Sequence, residues 1–352
     1  MTDVRAVVVD DSTFMRTVIT DILEDAGVDV VATAADGAEG VAAVVDLQPD
    51  VVTMDVEMPE VDGLTAVERI MDRQPTPVLM LSAHTGEGAD VTFEALERGA
   101  VDFFTKPGGE VSAGMAHHED RLVETVLSVA RSDLSEGAQS RTASAEPAVE
   151  CPEQTFPETP TVVVGASTGG PSVVEQVLAG IPRDAGCRIL VVQHMPDGFT
   201  DRFADRLDDA SAYDVSEAAD GDRVGPGEAV VARGGYHLVV DSDRADTLRV
   251  SLSEAEPRHG VRPAIDVTME SAARTVEGPL AGVVLTGMGT DGAAGLSAIA
   301  ERGGSTIAQD EATSVVFGMP AAAVETGDVE AVLPVDEIAE GVVDALATEV
   351  PG

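Results

Sequence analysis

The sequence predicts two α/β domains in tandem, each built on a parallel sheet wound with helices on both faces. Three observations predict it. Short β-branched runs alternate with amphipathic stretches five times between residue 1 and about 130. A polar, proline-bearing stretch then spans about 131 to 160. The alternation resumes at Thr161 and runs to about 347, with a glycine- and valine-rich hairpin region inserted. The 352 residues and 44% hydrophobic content are enough for two cores.

The first strand covers 4–9 and stops at Asp10-Asp11. Ser12 is a good N-cap for a helix over 13–26, whose apolar face carries Phe14, Val18, Ile19, Ile22 and Leu23. Further strands are predicted near 28–33, 50–54, 77–81 and 101–104, and further helices near 38–47, 64–73, 88–98 and 119–131. In a doubly wound sheet the functional rim lies beyond the carboxyl ends of the strands. Asp10, Asp11, Asp55, Ser82 and Lys106 all fall there, and Lys106 is the single lysine of the chain. One strand-end carboxylate is commonly a helix cap or a solvated charge. Three of them with a hydroxyl and a lone ammonium suit a hard divalent cation such as Mg²⁺ and a phosphoryl group carried on aspartate.

These residues resemble a known family. Val9-Asp-Asp-Ser, Met54-Asp-Val-Glu-Met-Pro59 with Asp62-Gly63, Ser82-Ala83 and Gly99-Ala-Val-Asp-Phe-Phe-Thr-Lys-Pro107 look like a response-regulator receiver domain, a flavodoxin-like five-stranded fold, over residues 1–130. The resemblance implies that Asp55 is the phosphoacceptor. It implies that Asp10, Asp11, Asp55 and the main-chain carbonyl of Glu57 hold Mg²⁺, and that Ser82 and Lys106 bind the phosphoryl oxygens. Phe103 stands at the switch-aromatic position, and reads equally well as ordinary core.

Residues 131–160 lack apolar periodicity, and Pro147, Pro152, Pro157 and Pro160 break any helix, so a flexible linker is expected. The second domain, 161–349, opens with Thr161-Val-Val-Val-Gly-Ala-Ser-Thr-Gly-Gly-Pro171. That string reads as a buried strand, a sharp turn and a helix with proline in its first turn. Strands are expected at 161–164, 188–192, 280–286, 304–308 and 329–333, and helices near 171–179, 198–207, 263–275, 292–301 and 336–347. Gly221 to Leu252 reads as an antiparallel hairpin region, giving a mostly parallel sheet with an antiparallel excursion.

The rim of this second sheet brings together Ser167, His194 and Asp291, the inventory of acyl transfer: a nucleophile, a base and a carboxylate to orient the base. Backbone N–H groups at Thr168 and Met288 are candidates to hold an oxyanion. Asp266 rivals Asp291 as orienter but sits inside an expected helix. Gly165-Ala-Ser-Thr-Gly-Gly170 nearly spells a dinucleotide fingerprint, yet serine replaces the glycine that lets a pyrophosphate approach. The order Ser167, His194, Asp291 also departs from the serine–acid–histidine order of α/β-hydrolases.

Order and motifs instead look like the chemotaxis protein-glutamate methylesterase (CheB) family. The carriers are Gly165-Ala-Ser-Thr-Gly-Gly-Pro171, Val192-Gln-His-Met-Pro196, Arg262-Pro-Ala-Ile-Asp266, Leu285-Thr-Gly-Met-Gly-Thr-Asp-Gly292, Ala308-Gln-Asp-Glu-Ala-Thr313 and Phe317-Gly-Met-Pro320. Arg233 departs from the family, which usually has proline there. The resemblance implies hydrolysis of γ-glutamyl methyl esters on chemoreceptor cytoplasmic helices, with deamidation of glutamines at the same site and no cofactor for the ester chemistry. It also implies Met288 as an oxyanion donor, a chemotaxis histidine kinase as phosphoryl donor, and relief of inhibition when Asp55 is phosphorylated. A nucleotide-binding regulator and a non-catalytic receptor-docking module remain the alternative readings.

Composition bounds the rest. A net charge of −43, from 64 acidic against 21 basic residues, opposes nucleic-acid binding and suits very high salt. Cys151 and Cys187 form neither a disulfide framework nor a metal spacing. No signal peptide or membrane-length apolar run is read, so a cytoplasmic protein without membrane insertion is expected.

Overall fold

A computed structural model describes residues 4–82, 86–106, 115–132 and 159–347. The chain divides into two compact units, Met1–Thr142 and Ala143–Gly352. Most of the expected linker, including Pro147, Cys151, Pro152 and Pro157, lies outside the described residues, as does Pro107.

In the N-terminal unit, β1 (Arg5–Val9), β2 (Asp29–Ala34), β3 (Val51–Asp55), β4 (Val78–Ser82) and β5 (Asp102–Thr105) form one parallel sheet in the order β2-β1-β3-β4-β5. The helices are α1 (Thr13–Asp25), α2 (Gly37–Leu47), α3 (Gly63–Arg73), α4 (Gly86–Glu97) and α5 (Met115–Val129). Ser12, Asp36 and Asp62 cap the first three through side-chain oxygens. The expected apolar face of α1 needs one correction. The core takes Met15, Ile19, Ile22 and Leu23, while Phe14 is 73% exposed. Successive helical positions lie about 100° apart, so the stripe that buries Met15 turns Phe14 to the surface.

In the C-terminal unit, β6 (Thr161–Ala166), β7 (Arg188–Gln193), β8 (Asp214–Glu217), β10 (Glu228–Val231), β13 (Leu280–Val284), β14 (Ser305–Gln309) and β15 (Ala331–Leu333) make a seven-stranded sheet, ordered β15-β14-β13-β6-β7-β10-β8. Every neighbouring pair in it is parallel. The antiparallel excursion is a separate sheet: β9 (Arg223–Val224), β11 (His237–Arg244) and β12 (Thr247–Ser253). Thus only part of the 221–252 region is hairpin. Its segment Glu228–Val231 joins the main sheet beside β7. Asp214–Glu217, whose alternation is too weak to read as a strand, adds on beyond it at the sheet edge. The helices are α6 (Gly170–Gly180), α7 (Thr200–Ala210), α8 (Ile265–Thr275), α9 (Ala293–Glu301), α10 (Met319–Glu325) and α11 (Val335–Ala347). Seven-residue α10 is too short to show a helical period in sequence. Strand β13 ends at Val284, two residues earlier than expected, because Thr286 leaves the ladder to bind the loops around the site. Cys187 is buried just before β7, and its Sγ donates to Ala185 O at 3.9 Å.

Candidate active site

Strand pairing brings the C-terminal residues together. Ala166 and Gln193 are register partners on β6 and β7, so Ser167 and His194 each follow a paired residue on adjacent strands. Neighbouring strands lie about 4.8 Å apart. The His194 N–H donates to Ala166 O at 3.0 Å, and the Ser167 N–H to Thr286 O at 3.0 Å. The loop after β13, on the other side of β6, supplies Asp291.

The turn at Ser167 is enforced by glycine. Gly169 has φ +72°, and α6 begins at the next residue with Pro171 in its first turn. Gly287 is demanded by proximity: a Cβ there would lie 2.7 Å from the Ser167 Cβ. The Gly287–Met288 peptide therefore passes directly against the serine. The N–H groups of Thr168 and Met288 find no acceptor among the described residues.

Asp291 is 2% exposed and accepts four hydrogen bonds. Its Oδ2 takes His194 Nε2 at 2.8 Å and Ile265 N at 2.7 Å; its Oδ1 takes Asp266 N at 2.9 Å and Gly292 N at 3.0 Å. Burial pushes its pKa up, but the His194 hydrogen bond and charge and the backbone donors outweigh that and hold it below the ordinary aspartate value. With Nε2 on the carboxylate, Nδ1 is the ring nitrogen left for Ser167. No Ser167–His194 hydrogen bond is present among the described residues. Such bonds often close only when substrate is bound.

Asp266 is fully buried in the first turn of α8 and does other work. Its Oδ1 accepts Gly292 N at 2.9 Å and Gly295 N at 2.7 Å; its Oδ2 meets His259 Nε2 at 2.8 Å and Arg258 Nη2 at 3.2 Å. It thus caps α9 and anchors the loop that carries Asp291, without touching His194. His259 sits at the tip of a tight turn, with φ +54°, and its Nε2 is 3.7 Å from Asp291 Oδ1. The buried His237 has its pKa lowered by desolvation. Its Nδ1 accepts Ala264 N at 3.2 Å while Nε2 faces Glu256 O at 3.1 Å, so it supports the start of α8 as a neutral ring.

The N-terminal rim gathers Asp10, Asp11, Asp55, Ser82 and Lys106 at strand ends. One carboxylate oxygen from each aspartate lies within 4.8 Å of the others. Lys106 Nζ is 2.8 Å from Asp10 Oδ2 and 2.7 Å from Asp55 Oδ1. Burial raises the Asp55 pKa, and Asp10 adds to it; the Lys106 hydrogen bond and charge oppose without cancelling. Among the described residues, buried Asp10 Oδ2 has only that ion pair, with no hydrogen-bond donor aligned on it. An all-oxygen cluster with an acceptor left over fits a hard divalent cation. Ser82 is buried at the end of β4, and exposed Glu57 lies two residues past β3. Phe103 is half-buried on β5, edge-on to Phe93 of α4 with ring centroids 6.1 Å apart.

Two family models match the chain: CheB methylesterase over residues 162–342 and response regulator receiver domain over residues 6–112. The chain belongs to the CheB methylesterase family. A protein-glutamate methylesterase/protein-glutamine glutaminase of Haloarcula marismortui is 55% identical over 364 aligned positions, covering 99% of each chain. One from Symbiobacterium thermophilum is 45% identical and covers 97% of each. The crystal structure of the Thermotoga maritima CheB methylesterase catalytic domain is 39% identical, with a TM-score of 0.51, and covers 53% of this chain and 98% of that one. The receiver domain of this CheB family member brings the Mg²⁺ use typical of receivers. Among the described residues no helix is long and apolar enough to cross a membrane.

Sequence reasoning missed three contributors to the site. Thr286 donates to Thr168 O at 2.9 Å and accepts Val316 N at 2.9 Å. Gln309 Oε1 accepts Thr286 N at 2.8 Å. Gln193 Nε2 donates to Ser167 O at 2.8 Å. A glutamine closing a fully buried strand is the signal that marks Gln193 and Gln309.

Proposed function

We propose that this protein hydrolyses γ-glutamyl methyl esters on the cytoplasmic helices of chemoreceptors, releasing methanol, and that phosphorylation of its receiver controls the rate. The observation that carries the reading is the buried His194–Asp291 pair at 2.8 Å, beside a serine on the adjoining strand end. The Ser167 oxygen attacks the ester carbonyl while its proton passes to His194 Nδ1. Asp291 holds the tautomer and stabilises the imidazolium. The N–H groups of Thr168 and Met288 receive the oxyanion. Methanol leaves with the proton from His194, and water then attacks the acyl-serine to regenerate glutamate and Ser167. A primary amide in the same position loses ammonia, so receptor glutamines are deamidated by the same route.

In the receiver, which we take to span 1–130 ahead of a connector and a catalytic domain over 161–349, Asp55 accepts the phosphoryl group from a chemotaxis histidine kinase. Asp10, Asp11, Asp55 and the Glu57 carbonyl would hold Mg²⁺, which neutralises phosphoryl charge when bound. Ser82 and Lys106 bind the phosphoryl oxygens, and Phe103 responds to them. The ester chemistry draws only on side chains and backbone of the catalytic domain. The setting is the cytoplasm of a high-salt organism, consistent with a net charge of −43 and with relatives from halophilic archaea.

The deciding experiment is methanol release from methylated receptor membranes in multimolar KCl, with and without Mg²⁺ and a small phosphoryl donor. Release that rises with donor is expected. Release indifferent to donor would remove the control, and no release from folded protein would remove the esterase.

A further inference from the structure

We propose that Gln193 is a positioning residue for the oxyanion site, holding the Ser167–Thr168 peptide so that the Thr168 N–H points at the reacting carbonyl oxygen. The inference rests on the esterase reading above. Gln193 is the last residue of β7 and 2% exposed. Its Nε2 donates to Ser167 O at 2.8 Å, with a longer contact of 3.4 Å to His194 O. Gly170 N donates to the same Ser167 oxygen at 2.8 Å. The carbonyl of the Ser167–Thr168 peptide is therefore clamped by two donors.

The peptide is trans, so its N–H points opposite to its carbonyl. Fixing Ser167 O fixes the direction of the Thr168 N–H, which has no acceptor among the described residues. Two hydrogen bonds on the carbonyl also polarise the amide and strengthen its N–H as a donor. The other candidate donor is built the same way. Gly287 O accepts Met319 N at 2.8 Å and Gly318 N at 3.2 Å, which fixes the Met288 N–H. That second clamp is wholly backbone. The first depends on one side chain.

Gln193 is also a poor choice for stability alone. Its Oε1 is buried without a hydrogen-bond partner, and a Cβ on Gly170 would fall 2.2 Å from it. Exchanging the amide O and N would turn an acceptor toward two carbonyl oxygens, so the orientation follows from chemistry. A methionine would fill this space and leave no acceptor orphaned. The amide nitrogen is what the position gains.

The test compares full-length wild type with Gln193→Met on methylated receptor membranes in multimolar KCl, measuring kcat, KM and the thermal midpoint. We expect kcat to fall about 10- to 100-fold, less than the roughly 10²–10³ for deleting an oxyanion donor outright. KM should stay within about twofold and the midpoint should hold or rise, because the orphaned acceptor is gone. An unchanged kcat, or a midpoint that falls with kcat, would overturn the proposal. A second variant, Gln193→Glu, can donate to Ser167 O only while its new carboxyl is protonated. Its rate relative to wild type should fall as pH rises, and a flat ratio would also overturn the proposal. Absence of methanol release from wild type would instead sink the esterase reading.

Discussion

Asp55 and Asp291 hold corresponding addresses in their respective sheets, on the rim at the carboxyl end of an inner parallel strand, yet they are opposite kinds of carboxylate. Asp291 is saturated: four N–H donors surround it, and its pKa is held down despite burial. The receiver cluster is short of donors. Asp55 has Lys106 and the N–H of the adjacent Val56, Asp10 stands close by, and its pKa is pushed up. The donor count separates the two tasks. A carboxylate that must orient an imidazole is immobilised by backbone N–H groups at the start of α8. A carboxylate that must receive a cation and a phosphoryl group keeps unsatisfied oxygen.

The largest effect should come from Ser167→Ala, which lowers methanol release by about 10⁴-fold or more and leaves phosphoryl uptake at Asp55 intact. Measuring both on one preparation separates the two rims; loss of phosphoryl uptake as well would show that they are not independent.

Next comes Asp291→Asn, expected to lower kcat by about 10³–10⁴-fold through the wrong histidine tautomer. Its depressed pKa has a second consequence. Ionised Asp291 stabilises the fold above the ordinary value of 3.8, and that contribution disappears as pH falls through its lower folded value. Acid unfolding followed by circular dichroism should therefore be less steep in the variant, and equal slopes would contradict the saturated-carboxylate account.

Asp266→Asn should cost about 1–3 kcal/mol of stability, since buried Asp266 caps α9 and pairs with Arg258 and His259. The rate should drop only about tenfold, because Asp266 acts through the Asp291 loop. A loss as large as that of Asp291→Asn would make Asp266 the orienter instead.

The smallest effect is expected for Asp55→Asn in metal-free buffer. The Asp55 pKa is raised, so its ionised form opposes folding at neutral pH, and that opposition is relieved as pH falls through the raised value. The variant should melt a few degrees higher than wild type at neutral pH, with the gain shrinking in acid. A lower melting point would mean that Lys106 overcompensates the burial. Donor-stimulated methanol release should vanish in the same variant.

Much of this was legible in one sequence because strand ends are legible. Buried parallel strands read as runs of valine and isoleucine, and the polar residue that ends each run must lie on the rim, which located Asp10, Asp55, Ser167 and His194. Residues whose role depends on a partner elsewhere were not legible. Phe14 belonged to the apolar stripe by spacing alone, and only packing showed that α1 turns it outward. The short apolar run of β10 was equally ambiguous. Ala229, Val230 and Val231 suit a hairpin strand, yet they pair in parallel with Ile189, Leu190 and Val191.

The sequence by itself determined the two wound sheets, the rim each presents, and the residue types available there, because periodicity and strand termination are local properties of the chain. Only the tertiary structure decided which acceptors are saturated and which are left over. It put Nε2 of His194 on Asp291, gave Asp266 to the α9 N-terminus, and turned the Gln193 amide onto the Ser167 carbonyl. Hydrogen bonds between segments 26 to 97 residues apart are set by how the strands pack side by side, which no local pattern encodes.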